Sequence, residues 1–299
     1  MESNRPSYRF LIINPNTSTH MTDALKPIVS GVDLGGKSAA EIYNGDCNEL
    51  SGEPADVQFD YFTAPKEPTV SKEGNILEGI PSINNGKQAA LSAEHCFPHL
   101  KPLVGEYHAF LVTCYSPHPL VGMLRGGAIE EHNAKLAASN VKPLCKRQYV
   151  IGIMDASVQL SASLAHGIKP DIQHSVVPGK FGIVTTADEW KEELDMATRD
   201  MLLSNSINPD TIFAGVETTG LTAGKLHSAP AEVVRSRIKS ATERLRQSAG
   251  PSLPVISMGC AAMAGMEEAV LEAFDAKQRV AVVDGTAAGV AVLLAQVAS

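Results

Sequence analysis

The chain has 299 residues, of which 44% are hydrophobic, 19% charged and only 5% aromatic, with a formal net charge of -8. These figures describe a folded globular protein with enough length for one large or two modest domains. The negative balance and the scarcity of aromatics argue against a nucleic-acid partner, and no uninterrupted apolar run reaches the roughly 20 residues a membrane helix needs.

Short apolar runs that end in small or polar residues recur along the chain, at 9–13, 107–113, 149–153, 180–184, 211–216, 254–258 and 279–283. Buried strands of a parallel sheet have this form, and the amphipathic stretches 187–203 and 231–248 between them predict covering helices. The segment 44–105 is rich in Gly, Pro, Asn and Asp, and reads as crossover loops and a candidate lid, with 89–96 as its best helix. The apolar tail 280–298 reads as one more strand and a buried helix.

The residues just beyond each strand form a weak internal repeat. In the first half a strand ending in Asn14-Pro15-Asn16 precedes one ending in Cys114-Tyr115-Ser116; in the second, Thr185-Thr186 precedes Cys260-Ala261-Ala262. Each half thus supplies one cysteine, and two similar α/β lobes facing each other are predicted, with residues 1–165 plus 279–299 in the first and 166–278 in the second. Ligands of open α/β sheets sit beyond the carboxyl ends of strands, where both cysteines lie. Two facing thiols, one ionised and one neutral, could take an α-proton from one side of a carbon and return one on the other. A helix over 261–274 is predicted to lower the Cys260 thiol through its first-turn N–H groups and dipole.

Five cysteines, at 47, 96, 114, 145 and 260, form no CxxC pair, which suggests a reduced, cytoplasmic protein. Cys47, Cys96 and Cys145 read as small buried residues. His118 could tune Cys114 or belong to a loop between two prolines. Cys114, His118 and Cys260 lack the compact ligand spacing of a zinc site, so no metal is expected. Glu217 could recognise a substrate amide or ammonium group, or be a capping or salt-bridged carboxylate. The stretch 220–225 reads as a turn rather than a phosphate loop, being one residue short between its glycines.

The ordered pieces Ile12-Ile13-Asn14-Pro15-Asn16-Thr17-Ser18, Phe110-Leu111-Val112-Thr113-Cys114-Tyr115, Phe181-Gly182-Ile183-Val184-Thr185-Thr186, Met258-Gly259-Cys260-Ala261-Ala262 and Val283-Asp284-Gly285 resemble the hydantoin racemase group of the aspartate/glutamate racemase superfamily, its fungal branch in particular. The resemblance implies two pseudo-symmetric three-layer lobes with parallel sheets, a site in the cleft between them, and Cys114 and Cys260 as acid and base. It implies no metal, no pyridoxal phosphate or other cofactor, a small-molecule substrate and a homo-oligomer. Asn14, Asn16, Thr185 and Thr186, with backbone N–H groups at Tyr115, Ser116, Ala261 and Ala262, would hold substrate oxygens. Amino-acid racemases of the superfamily carry Asn-Thr and Thr-His after their cysteines, where this chain has Tyr115-Ser116 and Ala261-Ala262. That departure favours a hydantoin, allantoin or related ureide over a free amino acid. The competing readings are an amino-acid racemase, a decarboxylase or cis-trans isomerase using one cysteine, and a non-catalytic binding protein.

Overall fold

The computed structural model describes residues 7–32, 56–71, 73–145, 147–167, 179–250 and 253–298. Its strands are β1 (Ser7–Asn14), β2 (Asp56–Thr63), β3 (Thr69–Val70), β4 (Ile76–Leu77), β5 (Ala109–Val112), β6 (Tyr149–Gly152), β7 (Phe181–Thr185), β8 (Phe213–Thr218), β9 (Val255–Met258) and β10 (Ala281–Asp284). The longer helices are α1 (Thr19–Ser30), α2 (Gly86–Leu100), α3 (Ile153–Gly167), α4 (Trp190–Ser204), α5 (Ala231–Ala249) and α6 (Gly285–Ala298). Eight strands form two parallel four-stranded sheets, ordered β2-β1-β5-β6 and β8-β7-β9-β10, while β3 and β4 form a small antiparallel ribbon.

The two orders match strand for strand. Thus β1 corresponds to β7, and β5, which precedes Cys114, corresponds to β9, which precedes Cys260. Side chains alternate along each central strand, so one face of each sheet feeds a shared core and the other a private one. Phe10, Ile12 and Leu111 from the first sheet meet Phe181, Ile183 and Val255 from the second in one cluster. On the opposite faces, Leu11, Ile13, Phe110 and Val112 pack on α2, whereas Val184, Ile256 and Met258 pack on α5.

The helices that leave the last strand of each sheet cross over. Helix α3 follows β6 of the first sheet but packs against β9 and β10, and α6 follows β10 of the second sheet but packs against β5 and β6. Glycines make the approach possible: a Cβ at Gly289 of α6 would strike the Leu111 side chain of β5, and one at Gly285 would lie 3.2 Å from the Ile153 carbonyl. The predicted lobe boundaries therefore need correction. Strand β10, assigned with 279–299 to the first lobe, is bonded to β9 in the second sheet, while α6 does pack on the first. Hydrophobic periodicity identifies a buried strand without naming its sheet.

Two other expectations change. Strand β2 lies hidden within 44–105 because, as an edge strand, it alternates polar Gln58 and Asp60 with Val57 and Phe59 instead of running apolar. The helix expected over 261–274 is a single 3₁₀ turn at Ala261–Met263, a break, and a short helix at Glu267–Leu271. Gly265, at φ +80, makes the break.

Candidate active site

The loops beyond β1, β5, β7 and β9 enclose one cleft between the sheets. It is lined by Asn16, Thr113, Cys114, Tyr115, Thr186, Gly259, Cys260 and Ala261, together with Met21, Ile83, Trp190 and Ala223. Each sheet contributes its two central strands, one bearing the thiol and its neighbour bearing a polar loop. Of the residues predicted from sequence, the cleft brings together Cys114, Cys260, Asn16, Tyr115, Thr186 and Ala261.

Both cysteines are partly exposed toward the cleft and unpaired by disulfide. The Ser116 hydroxyl donates to Cys114 Sγ at 3.4 Å. Burial nevertheless pushes the Cys114 thiol up to about 12, and the nearby Cys260 and Glu193 charges add to the rise. Burial likewise pushes Cys260 up to about 11, against the pull of the Ala262 N–H and the Thr186 hydroxyl. The expectation of a lowered Cys260 thiol is thus reversed: the long helix that would supply the dipole is absent, and desolvation of the charged form dominates.

The remaining predicted residues support the cleft from behind. Asn14 lines an adjoining cavity with Ala262 and His227, and its amide is committed to the turn: Nδ2 donates to Asn16 Oδ1, Ser18 O and Thr22 Oγ1 at 3.0–3.2 Å, and Oδ1 accepts the Asn16 N–H. Asn16 Oδ1 also accepts from Ser18 N at 2.9 Å, and its Nδ2 stands 3.5 Å from Met21 Sδ at the cleft. Thr185 is fully buried and donates to the Gly259 carbonyl at 2.6 Å, fixing the loop that carries Cys260. A Cβ at Gly259 would fall 2.7 Å from Thr185 Cβ, so the close approach requires glycine. Ser116 N–H donates to the Cys114 carbonyl at 3.0 Å, so this amide is not available to a substrate as predicted. The Tyr115 ring turns away into the shared core, where Ser157 Oγ donates to its hydroxyl at 2.8 Å.

Glu217 does not join the cleft. Its carboxylate accepts from Lys191 Nζ and Arg244 Nε, each at 2.8 Å, and these partners hold it below the usual carboxylate range despite burial. The salt-bridge alternative applies. His118 Nδ1 accepts the Leu120 N–H at 3.3 Å, capping the turn Pro119–Gly122, and burial lowers its ring to about 4. Cys96 is buried, whereas Cys145 is half-exposed, and Cys47 lies outside the described residues. The stretch 220–225 expected as a turn is a bend at the left-handed Gly220 followed, from 223, by the start of the short helix Ala223–Ser228, which Thr222 caps.

Sequence reasoning missed Ile83 and Trp190. Trp190 is the chain's only tryptophan and opens the amphipathic pattern of α4, a signal that could have placed it near a strand end. Ile83 lies in an irregular loop and carries no such signal.

The family model described as Asp/Glu/Hydantoin racemase matches residues 67–293. A Schizosaccharomyces pombe relative, uncharacterized protein C1F7.10, is 28% identical over 285 residues, covering 95% of this chain and 90% of the relative. Among solved structures, allantoin racemase from Pseudomonas fluorescens superposes with a TM-score of 0.61 at 18% identity, covering 97% of this chain and 91% of that one. Allantoin racemase from Klebsiella pneumoniae gives 0.61 and 18%, covering 98% and 88%. With a family match across more than half its length and the same fold around the cleft, the chain belongs to the Asp/Glu/Hydantoin racemase family and is an isomerase of the racemase class.

Proposed function

We propose that this racemase works by two-base proton transfer between Cys114 and Cys260, on a hydantoin, allantoin or related ureide, without a cofactor. One observation carries the reading: two thiols, each after the equivalent strand of its sheet, line the same cleft. The thiolate of one takes the proton from a carbon next to a carbonyl, and the electron pair moves onto the carbonyl oxygen as an enolate. The S–H of the other then delivers its proton to the opposite face, so the two cysteines exchange protonation states and the centre inverts.

The enolate charge needs donors aimed at it. Asn16 Nδ2 and the backbone N–H groups of Tyr115 and Ala261 supply them in this reading. Ala261 begins a 3₁₀ turn and so has no acceptor within it. The lining contains no Lys, Arg, His, Asp or Glu among the described residues. An amino-acid zwitterion would leave both its charges unpaired there, at a cost on the order of several kcal/mol each. A neutral ring bears no such penalty, and the likeness to solved allantoin racemases agrees with that choice. Four described cysteines are free, consistent with a reducing, cytoplasmic setting. Among the described residues no helix is long and apolar enough to cross a membrane.

The test is polarimetry of enantiopure allantoin, substituted hydantoins and amino acids with the protein in deuterated buffer. Optical rotation should decay without a change of compound, with one deuterium entering the α-position of the ureide. Cys114→Ser and Cys260→Ser should each lose at least about a hundredfold in rate. Full interconversion by either mutant would overturn the two-thiol scheme, and a stable adduct on one cysteine by intact mass would favour single-cysteine chemistry.

A further inference from the structure

One hydrogen bond joins the two halves a helical turn away from residues that line the cleft. Glu193, in the first turn of α4, accepts the Gly86 N–H on Oε2 at 2.9 Å; Gly86 is the first residue of α2. Helix α4 packs on β8 of the second sheet and α2 on the outer face of the first. Three residues before each partner stand Trp190 and Ile83, both lining the cleft and only 4% and 7% exposed. We propose that Glu193 is a positioning residue, latching the 81–86 loop onto α4 so that Ile83 and Trp190 stay closed over Cys114 and Cys260. This inference rests on the two-thiol reading for its catalytic meaning.

The local chemistry favours the latch. The first amides of a helix have no intrahelical acceptor, and a carboxylate there also meets the positive end of the dipole. Asn85 caps α2 by accepting from Gln88 N, which leaves the Gly86 N–H for Glu193. A Cβ at position 86 would overlap the Glu193 carboxylate, so any larger residue there would have to push that carboxylate aside. The loop is also anchored from below, where Thr17 N–H donates to the Ile80 carbonyl at 2.9 Å. Within its own half, Asn84 N–H donates to Gln88 Oε1 of α2 at 2.7 Å, and the Glu193 bond at residue 86 adds the tether that comes from the second half of the molecule. Closure would exclude water and strengthen every electrostatic interaction around a developing enolate. The Glu193 charge reaches Cys114 as well, favouring the neutral thiol there.

The whole chain and its E193A, E193Q, G86A and E193A/G86A variants would be alkylated with iodoacetamide, and each cysteine followed by mass spectrometry with Cys145 as internal reference. A lost hydrogen bond to a charged group should open the roof enough to speed alkylation of Cys114 and Cys260 by about tenfold in E193A. G86A, which displaces the carboxylate from the other side, should do the same, and the double variant should gain nothing further. E193Q keeps an acceptor oxygen and should stay protected, while its Cys114 labelling shifts to lower pH because the nearby charge is gone. Unchanged labelling in E193A, or gains that add in the double variant, would overturn the latch; if G86A does not fold, E193A and E193Q decide it. Labelling needs no turnover, so a protein that racemises nothing would refute the two-thiol reading while leaving the latch to be judged on its own.

Discussion

Burial and hydrogen bonding pull the two thiols in opposite directions, and burial prevails. With Cys260 at about 11 and Cys114 at about 12, the resting cleft holds two neutral thiols near neutral pH. The thiolate fraction then grows about tenfold for each unit of pH below those values. In the proposed scheme kcat/KM should accordingly rise with pH across the mildly alkaline range, a trend that a pH profile on a racemised substrate would establish or refute. Thr186→Val removes a hydrogen bond that lowers Cys260, so the thiol should move higher still. Alkylation of Cys260 at a fixed pH should slow severalfold, while that of Cys114 should hold. Both cysteines were legible in the sequence because each ends an apolar run in its own half. Their ionisation was not, since it depends on the depth of the cleft and on whether 261–274 forms one helix. Glu217 stayed open between two roles for a related reason: a position after a strand does not specify which side of the loop a carboxylate leaves by, and Lys191 and Arg244 claim it.

At the scale of elements, the shared core is joined by hydroxyl groups as well as hydrocarbon. Ser161 of α3 and Ser257 of β9 bond to each other at 2.8 Å, both fully buried, three residues before Cys260 in the case of Ser257. Ser257→Ala should leave Ser161 unsatisfied and cost about 1–3 kcal/mol, Ser161→Ala should cost less because Ser257 keeps the Tyr115 hydroxyl as a partner, and the double replacement should cost less than the sum of the two. Denaturant melts of the double-mutant cycle would measure this coupling. Where α6 crosses the first sheet, Gly289→Val would force Leu111 aside; an overpacking loss of about 1–3 kcal/mol is expected, together with reduced activity because Leu111 lies on the strand leading to Cys114. Strong apolar runs announced β1 and every strand from β5 to β10, and the amphipathic patterns announced α4 and α5. Strand β2 escaped because half its side chains are polar, and α2 was foreseen only in its middle because Pro98 and the polar entry around Asn85 blur its ends.

The whole molecule repeats one unit twice, a repeat legible in the sequence from the loops that leave the strands rather than from the strands themselves. The matching sheet orders give that hint a structural basis. What the one-dimensional reading could not reveal is that the units trade their final helices. Each sheet is finished by a helix that belongs, by chain order, to the other unit, so the shared core draws on α3 and α6 together. The arrangement makes the two halves obligate partners. Residues 1–167 and 179–299 expressed separately should each remain incompletely folded, because each lacks the helix that covers its sheet, yet mixed together they should reassemble with the thiols back in one cleft. Size-exclusion chromatography and cysteine labelling of the mixture would detect this. Two copies of a half-length chain exchanging that same helix could build a related assembly, with one thiol per copy, whereas joining the halves in a single chain leaves the surroundings of the two thiols free to differ.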